Sequence, residues 1–320
     1  MRYQKLGSTG LSVSEITMGT WQSGGQDWGD TSADSYFDAM NAMLENGVNF
    51  FDTAPTYGFG QSEINVGKFI HDKRDKVILQ TKCGVYWPSR DKAAAGSIKD
   101  SSRARVLKQC DESLERLDTD YIDIYMIHWP DPNTPAEETA DALKELKKAG
   151  KILHTGVSNF NIEQLEAFYK EGVLEVAQYG YSMVDRKAEA QLKWCHEHGV
   201  GTMSYGTLGA GILTGKYRTN PGYTSADARG RFYKFFYEPD FSKVMELLKV
   251  MDEISGETGM PLAHIAINWN LKKEFMDTVL CGVRNVKQAD QNCDATKYTL
   301  TDEQVKRLDD KIAELKIMEE

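Results

Sequence analysis

Eight apolar runs alternate with amphipathic segments along the chain of 320 residues, and this alternation is the strongest constraint on its fold. A short run that is apolar throughout is typical of a strand buried on both faces of a parallel sheet. Such strands alternating with helical segments predict an α/β protein. Eight successive strand–helix units favour a closed (β/α)8 TIM barrel, and an open doubly wound sheet is the alternative.

The pattern places each strand and helix at a definite position. Predicted strands cover residues 16–21, 49–54, 77–82, 123–129, 154–159, 176–181, 201–205 and 278–282. Predicted helices cover residues 32–46, 61–71, 101–117, 136–148, 162–170, 188–198, 242–255, 262–271 and 286–295. Two further elements, one at each end of the chain, complete this architecture.

Residues 3–7 and 11–14 predict an N-terminal β-hairpin, which we expect to close the bottom of the barrel. The segment Thr301-Asp302-Glu303 carries a capping signature and predicts an extra C-terminal helix over residues 302–314. No stretch resembles an interdomain linker, so we expect a single domain over residues 1–320.

The composition argues against several classes of partner and location. A net charge of −10 disfavours nucleic acid, whose phosphates would repel the protein. No run of about 18 apolar residues could span a membrane, and the first residues lack the apolar segment of a signal peptide. Five scattered cysteines without a CxxC pair favour reduced thiols in a cytoplasmic protein.

Four chemically useful side chains lie at or just past the ends of three successive strands: Asp52, Tyr57, Lys82 and His128. In a parallel barrel, these strand ends and the loops after them form the active-site face. A tyrosine has a reference pKa of about 10, so it becomes a useful proton donor only beside a cation. Such a cation needs a counter-ion, and Lys82 and Asp52 supply the two charges.

Each of the four has an ordinary structural explanation when it is considered alone. Asp52 is typical of a turn or helix cap, and Lys82 of a solvated strand end. Tyr57 and His128 are typical of packed or hydrogen-bonded loop residues. Their recurrence at equivalent positions of consecutive units favours a common site.

Three segments resemble signatures of the aldo-keto reductase superfamily, and the similarity covers essentially the whole chain. They read Phe51-Asp52-Thr53-Ala54…Tyr57-Gly58…Ser62-Glu63, Gly156-Val157-Ser158-Asn159-Phe160 and Tyr205…Leu208-Gly209-Ala210-Gly211-Ile212-Leu213-Thr214-Gly215-Lys216. The resemblance implies a barrel that binds NADP(H) in an extended pose and reduces carbonyls to alcohols, sometimes in reverse. The GxGxxG fingerprint of open dinucleotide-binding sheets is absent after the first strand.

By resemblance, Tyr57 is the general acid that protonates the carbonyl oxygen, and Lys82 lowers the pKa of Tyr57. Asp52 keeps Lys82 charged and in place, while His128 orients and polarises the carbonyl. The cofactor carries the hydride chemistry. No metal is implied, and no His/Cys cluster has the spacing of metal ligands.

The resemblance also implies a binding site for the nicotinamide. Ser158, Asn159 and Gln178 are expected to bind its carboxamide. Tyr205 is expected to stack on its ring. Three further residues are expected to line the mouth of the barrel, the opening at the carboxyl ends of its strands: Thr20, Trp21 and Asp52.

The pyrophosphate is expected beside the loop after the seventh strand, which comprises Gly206, Thr207, Leu208, Gly209 and Ala210. Its first three residues replace the Ser-Pro-Leu typical of the family, so we expect backbone amides to replace side-chain contacts there. Residues 216–241 are too many for an ordinary βα connection. We expect Lys216 and Arg229 in this connection to cover the pyrophosphate, and a solvated surface loop is the alternative.

The segment after the eighth strand resembles the adenosine end of the family's site. Arg284 is expected to pair with the 2′-phosphate, which favours NADPH over NADH. Gln288 and Asn292 are expected to contact adenine, and Gly282 and Gln291 belong to the same segment. A phosphate site at a helix N-terminus in this part of the barrel is a recurrent use of the fold.

An aromatic rim is expected around the substrate, and it suits small aldehydes, ketones or sugars alike. Its candidate members are Trp21, Trp28, Tyr86, Trp87 and Trp129.

Two other functions stay open at this point. Channel-associated members of the family act as cofactor-sensing regulatory subunits on the same barrel, and an intact Tyr57 does not exclude that role. A lyase or isomerase would use Lys82 to form a Schiff base. Asp52 opposes this use because it keeps the lysine protonated.

Overall fold

A closed barrel of parallel strands forms the centre of the molecule. The computed structural model describes residues 1–25, 33–89, 91, 96–224 and 227–318. The strands are β1 (Tyr3–Lys5), β2 (Ser12–Ser14), β3 (Ile16–Gly19), β4 (Phe50–Asp52), β5 (Ile78–Cys83), β6 (Val85–Tyr86), β7 (Ile98–Lys99), β8 (Ile122–Ile127), β9 (Ile152–Ser158), β10 (Val176–Gly180), β11 (Gly201–Tyr205) and β12 (Thr278–Gly282). Around the barrel the order is β10-β11-β12-β3-β4-β5-β8-β9, which confirms the predicted TIM barrel over the open sheet.

Helices pack around the outside of the barrel. They are α1 (Ala33–Glu45), α2 (Gln61–Ile70), α3 (Arg103–Leu117), α4 (Ala136–Lys148), α5 (Ile162–Lys170), α6 (Glu189–Glu197), α7 (Ala228–Phe232), α8 (Asp240–Thr258), α9 (Leu262–Leu271), α10 (Val286–Asp294) and α11 (Asp302–Leu315). The predicted bounds agree to within a few residues, except that α7 was not predicted. The predicted start of the first helix, at Ser32, lies outside the described residues. Among the described helices, none is both long and apolar enough to cross a membrane.

Apolar side chains form two separate cores because the barrel strands are buried on both faces. The outer core fills the space between strands and helices, and Trp269 is among its fully buried members. The inner core lies inside the barrel and comprises Leu6, Val13, Phe50, Ile124, Met126, Val176, Met203 and Leu280. This double burial explains why the strands appear in the sequence as continuous apolar runs.

The predicted N-terminal hairpin of β1 and β2 closes the bottom of the barrel. Its strands pair antiparallel, with Tyr3 opposite Ser14. Leu6 and Val13 insert their side chains into the inner core. Leu6 lies so close to Gly201, where β11 begins, that a Cβ added there would come within 2.7 Å of Leu6 Cγ. The opposite end of the barrel, where the strands finish, stays available for chemistry.

The predicted C-terminal helix is present as α11 and packs outside the barrel against α8. Its N-terminus is a capping box in which Thr301 and Gln304 exchange hydrogen bonds between side chains and backbone. Arg307 forms ion pairs with Glu253 and Glu257 of α8.

Several short elements were not predicted, and three of them lie near the carboxyl end of the barrel. The first strand ends at Gly19, and Trp21 begins a 3-10 turn, Trp21–Gly24, instead of ending the strand. β6 and β7 pair as a small antiparallel hairpin after β5. The long connection after β11 contains α7. Elements this short carry too few residues for a hydrophobic period to reveal them.

We predict that Gly7→Ala destabilises the protein far more than Gly10→Ala. Both glycines have positive φ angles, of 48° and 81°, so each variant incurs a similar left-handed backbone cost of about 1 kcal/mol. Only at Gly7 would the new Cβ also meet the backbone, at 2.2 Å from the nitrogen of Gly201. Urea unfolding should show an additional loss of about 2 kcal/mol for Gly7→Ala. Equal losses would mean that the hairpin does not pack tightly against β11.

Candidate active site

The four predicted catalytic side chains lie together at the carboxyl ends of three neighbouring strands. Asp52 is the last residue of β4, Lys82 lies near the end of β5, and His128 directly follows β8. Tyr57 lies in the loop between β4 and α2. Because β4, β5 and β8 are adjacent in the barrel, these strand ends open into one mouth.

A buried ion pair joins Lys82 to Asp52. The Nζ atom of Lys82 lies 2.6 Å from Oδ1 of Asp52 and also donates to the carbonyl oxygen of Thr53 at 2.9 Å. The two side chains are 0% and 2% exposed. Burial lowers the pKa of Lys82, and the Asp52 carboxylate opposes that shift because it favours the charged ammonium.

Three donors converge on Oδ1 of Asp52. Besides Lys82, the Nε2 atom of Gln80 donates at 2.5 Å and that of Gln178 at 3.2 Å. An ionised carboxylate only accepts hydrogen bonds, which suits this arrangement. The carboxylate is therefore held by two amides as well as by the ammonium.

The hydroxyl of Tyr57 lies 3.4 Å from Nζ of Lys82. Burial raises the pKa of Tyr57 well above its usual value, and the Asp52 carboxylate raises it further. The net direction in the protein alone is upward because burial and the Asp52 carboxylate dominate, and the lowering by Lys82 that the resemblance implies stays a prediction. Tyr57 is consequently protonated at neutral pH, as a proton donor must be, and the ammonium lies beside the oxygen that becomes negative on proton loss.

His128 faces Tyr57 edge to face, with the ring centroids 6.0 Å apart and the planes at 84°. Its Nδ1 atom is buried and finds no hydrogen-bond partner within the described part of the chain. Burial lowers the pKa of His128 well below its usual value, and the Lys82 ammonium lowers it further. The ring is therefore neutral at physiological pH and can donate one hydrogen bond to an oxygen in the mouth.

Two loops press together to place Tyr57. The backbones of Gly24 and Gly58 touch, so that a Cβ added at Gly58 would lie 2.1 Å from the carbonyl oxygen of Gly24. Because the two loops are this close, the ring of Trp21 stacks on that of Tyr57, with the centroids 5.9 Å apart and the planes at 23°. The indole therefore covers one side of the proposed proton donor.

A network of buried hydroxyls supports these loops. The Oγ atom of Ser62 lies 2.8 Å from the hydroxyl of Thr20 and 2.9 Å from those of Ser23 and Thr53. The Thr20 hydroxyl also donates to the carbonyl oxygen of Asp52 at 2.8 Å. Thr20 was predicted to line the mouth, but its side chain is fully buried beneath it.

The residues predicted to bind a nicotinamide form a connected polar set. The hydroxyl of Tyr205 donates to Oδ1 of Asn159 at 2.9 Å, and Nδ2 of Asn159 donates to Oγ of Ser158 at 3.0 Å. The ring of Tyr205 lies over Gly180, where an added Cβ would come within 3.2 Å of it. Amide and hydroxyl groups beside a flat aromatic ring fit a polar heterocycle.

The predicted phosphate loop after β11 has an unusual backbone. Gly206, Gly209, Ala210 and Gly211 all have positive φ angles, of 72°, 54°, 51° and 94°. The hydroxyl of Thr207 is buried and donates to the carbonyl oxygen of Leu280 at 3.0 Å, and Leu208 packs against the outer core. The side chains of Thr207 and Leu208 are therefore engaged elsewhere, and the expected backbone contact to a phosphate stays a prediction.

The two cations predicted to cover a pyrophosphate differ in their surroundings. Arg229 donates to both carboxylate oxygens of Asp227, at 2.8 and 2.7 Å, and to the hydroxyl of Tyr217 at 3.0 Å. Lys216 is exposed, with Nζ 5.3 Å from the centroid of the Tyr217 ring. A phosphate at Arg229 would have to share the guanidinium with Asp227.

The same connection also covers part of the substrate mouth, which sequence reasoning missed. Phe232 packs against Trp21, with ring centroids 5.9 Å apart. Burial raises the pKa of the neighbouring Tyr233, and Tyr57 raises it further, so the two phenols are close enough to interact. The adjacent pair Phe232-Tyr233, next to the basic residues of the predicted flap, was the signal that could have found them.

The predicted adenosine segment forms the start of α10. Asn285 caps this helix by accepting from the backbone of Gln288, and Oε1 of Gln288 accepts from the backbone N–H of Arg284 at 2.9 Å. The carbonyl end of Gln288 therefore serves the helix cap, and its amide nitrogen is the candidate contact for adenine. Asn292 is mostly buried and Gln291 is exposed.

Three polar residues near the site were missed or given no role. The side chain of Gln22 lies on Gly282, where an added Cβ would be 2.2 Å from its Nε2. Glu63 is fully buried and accepts from Thr81 and from Arg116, each at 2.6 Å. Gln80 contacts Asp52 directly, and its position two residues before Lys82 on a strand was the signal, since such residues share a face.

The predicted aromatic rim is only partly assembled. Trp21 contacts Tyr57, as described above. Trp129 is 39% exposed and Tyr86 is covered by the guanidinium of Arg105 at 3.8 Å from its ring centroid. Trp87 is partly exposed, and Trp28 lies outside the described residues.

Two observations concern other chemistries at this site. Within the described residues, no group of three or more His, Cys, Asp and Glu side chains could hold a metal ion. The ion pair of 2.6 Å with Asp52 keeps Lys82 protonated, which opposes Schiff-base formation.

Comparison with known proteins agrees with this geometry. The model of the aldo/keto reductase family matches residues 15–313. The chain belongs to this family. It is thus an oxidoreductase on a scaffold whose members use a nicotinamide cofactor.

Named relatives cover nearly the full length of the chain. It is 38% identical over 310 residues to the aldo-keto reductase YhdN of Bacillus subtilis (strain 168), covering 96% of this chain and 92% of the relative. It is 32% identical to the NADH-specific methylglyoxal reductase of Escherichia coli (strain K12), covering 94% and 95%. The solved structure of the glycerol dehydrogenase from Gluconobacter oxydans is similar with a TM-score of 0.90 and 32% identity, covering 99% and 96%.

We predict that His128→Gln flattens the acid limb of the stability profile. The pKa of His128 is lowered in the folded protein, while the unfolded chain has the usual value of about 6.5. Below that pH the unfolded chain binds a proton that the folded protein does not, so wild-type stability falls by up to about 1.4 kcal/mol per pH unit. Urea unfolding of both proteins between about pH 5 and pH 8 should show their difference in unfolding free energy shrinking as the pH falls. A constant difference would contradict a neutral buried imidazole.

Proposed function

We propose that this protein is an NADPH-dependent reductase that converts aldehyde or ketone carbonyls to alcohols, with Tyr57 as the general acid. The proposal rests on the buried ion pair of Lys82 and Asp52, because the ammonium of that pair lies 3.4 Å from the hydroxyl of Tyr57. A buried ammonium stabilises an adjacent negative oxygen far better than it would in water. This arrangement suits a tyrosine that gives up its proton during the reaction.

The proton step follows from these positions. A carbonyl oxygen between Tyr57 and His128 accepts the proton of the Tyr57 hydroxyl, and Lys82 stabilises the phenolate that remains. Asp52 holds the ammonium in place. The neutral imidazole of His128 donates a hydrogen bond to the same carbonyl oxygen and polarises it. The phenolate then regains its proton from solvent at the partly exposed mouth.

The residues present fit a nicotinamide dinucleotide, which supplies the hydride when bound. The polar set around Asn159 and the ring of Tyr205 support recognition of the nicotinamide. The positive-φ loop at 206–211 and the N-terminus of α10 support recognition of phosphates, since both can direct backbone N–H groups towards an anion.

We propose small oxygen-rich carbonyls as the substrate class. One relative is named as a methylglyoxal reductase and one structural neighbour as a glycerol dehydrogenase. Both names refer to three-carbon compounds with oxygen on adjacent carbons. A small substrate suits the described mouth, because Trp21 and Phe232 cover it from one side and Tyr233 lies near Tyr57.

The preference for NADPH rests on Arg284, whose guanidinium suits a 2′-phosphate at the start of α10. The NADH-specific relative shows that the family scaffold also serves the other cofactor. We further propose one domain over residues 1–320 and a cytoplasmic location. All five cysteines are buried and unpaired, which suits a reducing compartment.

We predict that Tyr57→Phe lowers kcat for carbonyl reduction by about 1000-fold, because the variant loses only the proton donor. NADPH affinity should change by less than about twofold, since the ring stays in place. Absorbance assays with methylglyoxal, glyceraldehyde and nitrobenzaldehyde, beside fluorescence titration with NADPH, measure both quantities. Tyr169→Phe removes a tyrosine hydroxyl from the exposed face of α5 and is the control. Comparable losses of turnover and binding would mean that Tyr57 holds the site together structurally.

We predict that Arg284→Ala weakens NADPH binding by about tenfold or more, because a charge-assisted hydrogen bond is lost. NADH binding should stay nearly unchanged, since NADH lacks the 2′-phosphate. Isothermal titration with both cofactors measures the two effects. Lys287→Ala removes an exposed cation from the first turn of the following helix, α10, and controls for net charge. Equal losses for the two cofactors would contradict the contact.

A further inference from the structure

Gln80 is an amide inside the barrel, directly below the proposed catalytic groups. It lies on β5 two residues before Lys82, so both side chains point to the interior. Its exposed fraction is 0%. In the register of the sheet, Gln80 lies opposite Asp52 of β4. A buried polar side chain at this depth requires an explanation, because Ile124, its register partner on β8, and Met203, which it contacts, belong to the inner apolar core.

The contacts of Gln80 are concentrated on one atom of Asp52. Its Nε2 donates to Oδ1 of Asp52 at 2.5 Å and contacts the sulfur of Met203 at 3.4 Å. Its Oε1 is buried and accepts no hydrogen bond from any described residue. An unsatisfied buried carbonyl costs about 1–3 kcal/mol, and an apolar side chain of the same shape would avoid that cost. What the amide offers at this position, and an apolar side chain would not, is the hydrogen bond to Asp52.

Gln178 makes a similar but weaker contact with the same carboxylate oxygen, at 3.2 Å. Gln178 is also the residue proposed to bind the nicotinamide carboxamide. Its amide can therefore be drawn away from Asp52 when the cofactor binds. Gln80 is not among the residues proposed to contact the cofactor, so we expect its shorter bond to Asp52 to persist in either state.

We propose that Gln80 is a positioning residue that holds the Asp52 carboxylate in place while Lys82 and Tyr57 carry the proton chemistry. It acts through Asp52 and does not touch the substrate. By fixing Oδ1, it fixes the ammonium of Lys82 at 2.6 Å, and through it the separation from the Tyr57 hydroxyl. This role rests on the proposed reductase function.

Two substitutions at this position test the role. Gln80→Met replaces the amide with an apolar side chain of similar size and removes the donor. Gln80→Glu places a carboxyl group there, which donates to Asp52 when it is protonated and repels it when it is ionised. Two carboxyl groups this close share one proton and release it only at raised pH. Asn270→Leu is the control, because Asn270, on the outer helix α9, is also a fully buried amide whose carbonyl oxygen has no hydrogen-bond partner among the described residues.

The expected result separates positioning from stability. Gln80→Met should lower kcat by about tenfold or more while NADPH affinity stays within about twofold. Gln80→Glu should retain nearly wild-type kcat at acid pH and lose it as the pH rises, a transition that is missing from the wild type and from Asn270→Leu. If Gln80→Met does not fold, Gln80→Glu at acid pH carries the test.

Other outcomes would overturn the role. A kcat within twofold of wild type for Gln80→Met, or a parallel pH profile for Gln80→Glu, would show that Asp52 needs no such support. Equal losses of stability and cofactor affinity in Gln80→Met and Asn270→Leu would show a purely structural amide. If the wild type reduces none of the carbonyls, the proposed function fails. The positioning role is then tested by the crystal structure of Gln80→Met. A displaced Asp52 carboxylate supports positioning, and an unmoved one contradicts it.

Discussion

The buried ion pair between Lys82 and Asp52 is the interaction on which the rest of the site depends. An isolated buried ammonium would lose its proton, because desolvation disfavours the charged form. Removing one partner from such a pair costs about 3–5 kcal/mol, so neither charge is tolerable alone. The barrel supplies the geometry: β4 and β5 are neighbours, and Asp52 lies in register with Gln80. Lys82, two residues further along, then reaches the carboxylate and the carbonyl oxygen of Thr53 together.

A second constraint positions the aromatic side chains around the ammonium of Lys82. The backbone contact between Gly24 and Gly58 leaves no room for side chains, and this closeness stacks Trp21 on Tyr57. The connection that carries Phe232 then closes over Trp21. As a result, the phenol of Tyr57 and the imidazole of His128 face each other in the mouth, next to the buried ammonium of Lys82. Loss of solvation keeps the phenol protonated and the imidazole neutral, which are the states that a donor and a hydrogen-bonding partner require.

Much of this architecture was predictable because it depends on local patterns. Strands buried on both faces must be apolar throughout, and eight of them separated by helical periods leave few folds. The placement of Asp52, Lys82 and His128 at one end of the barrel follows from the same reasoning. The sequence reveals the cation beside Tyr57 but not the extent of burial, and burial raises the pKa of Tyr57 in the protein alone. The side chain of Thr20 was placed in the mouth because its position near a strand end does not reveal its hydrogen bonds to Ser62.

The order of residues was enough to predict the alternation of strands and helices, the closed barrel and the kinds of chemical group at its carboxyl end. These follow from hydrophobic period and from residue identity at strand ends, which are local properties. Three contacts could be established only from the three-dimensional arrangement. Gln80 and Gln178 share one oxygen of Asp52. Arg229 pairs with Asp227, and Phe232 packs against Trp21. Such contacts depend on distances between strands and loops that the order of residues does not encode locally. They arise only when closure of the barrel brings distant segments to the same mouth.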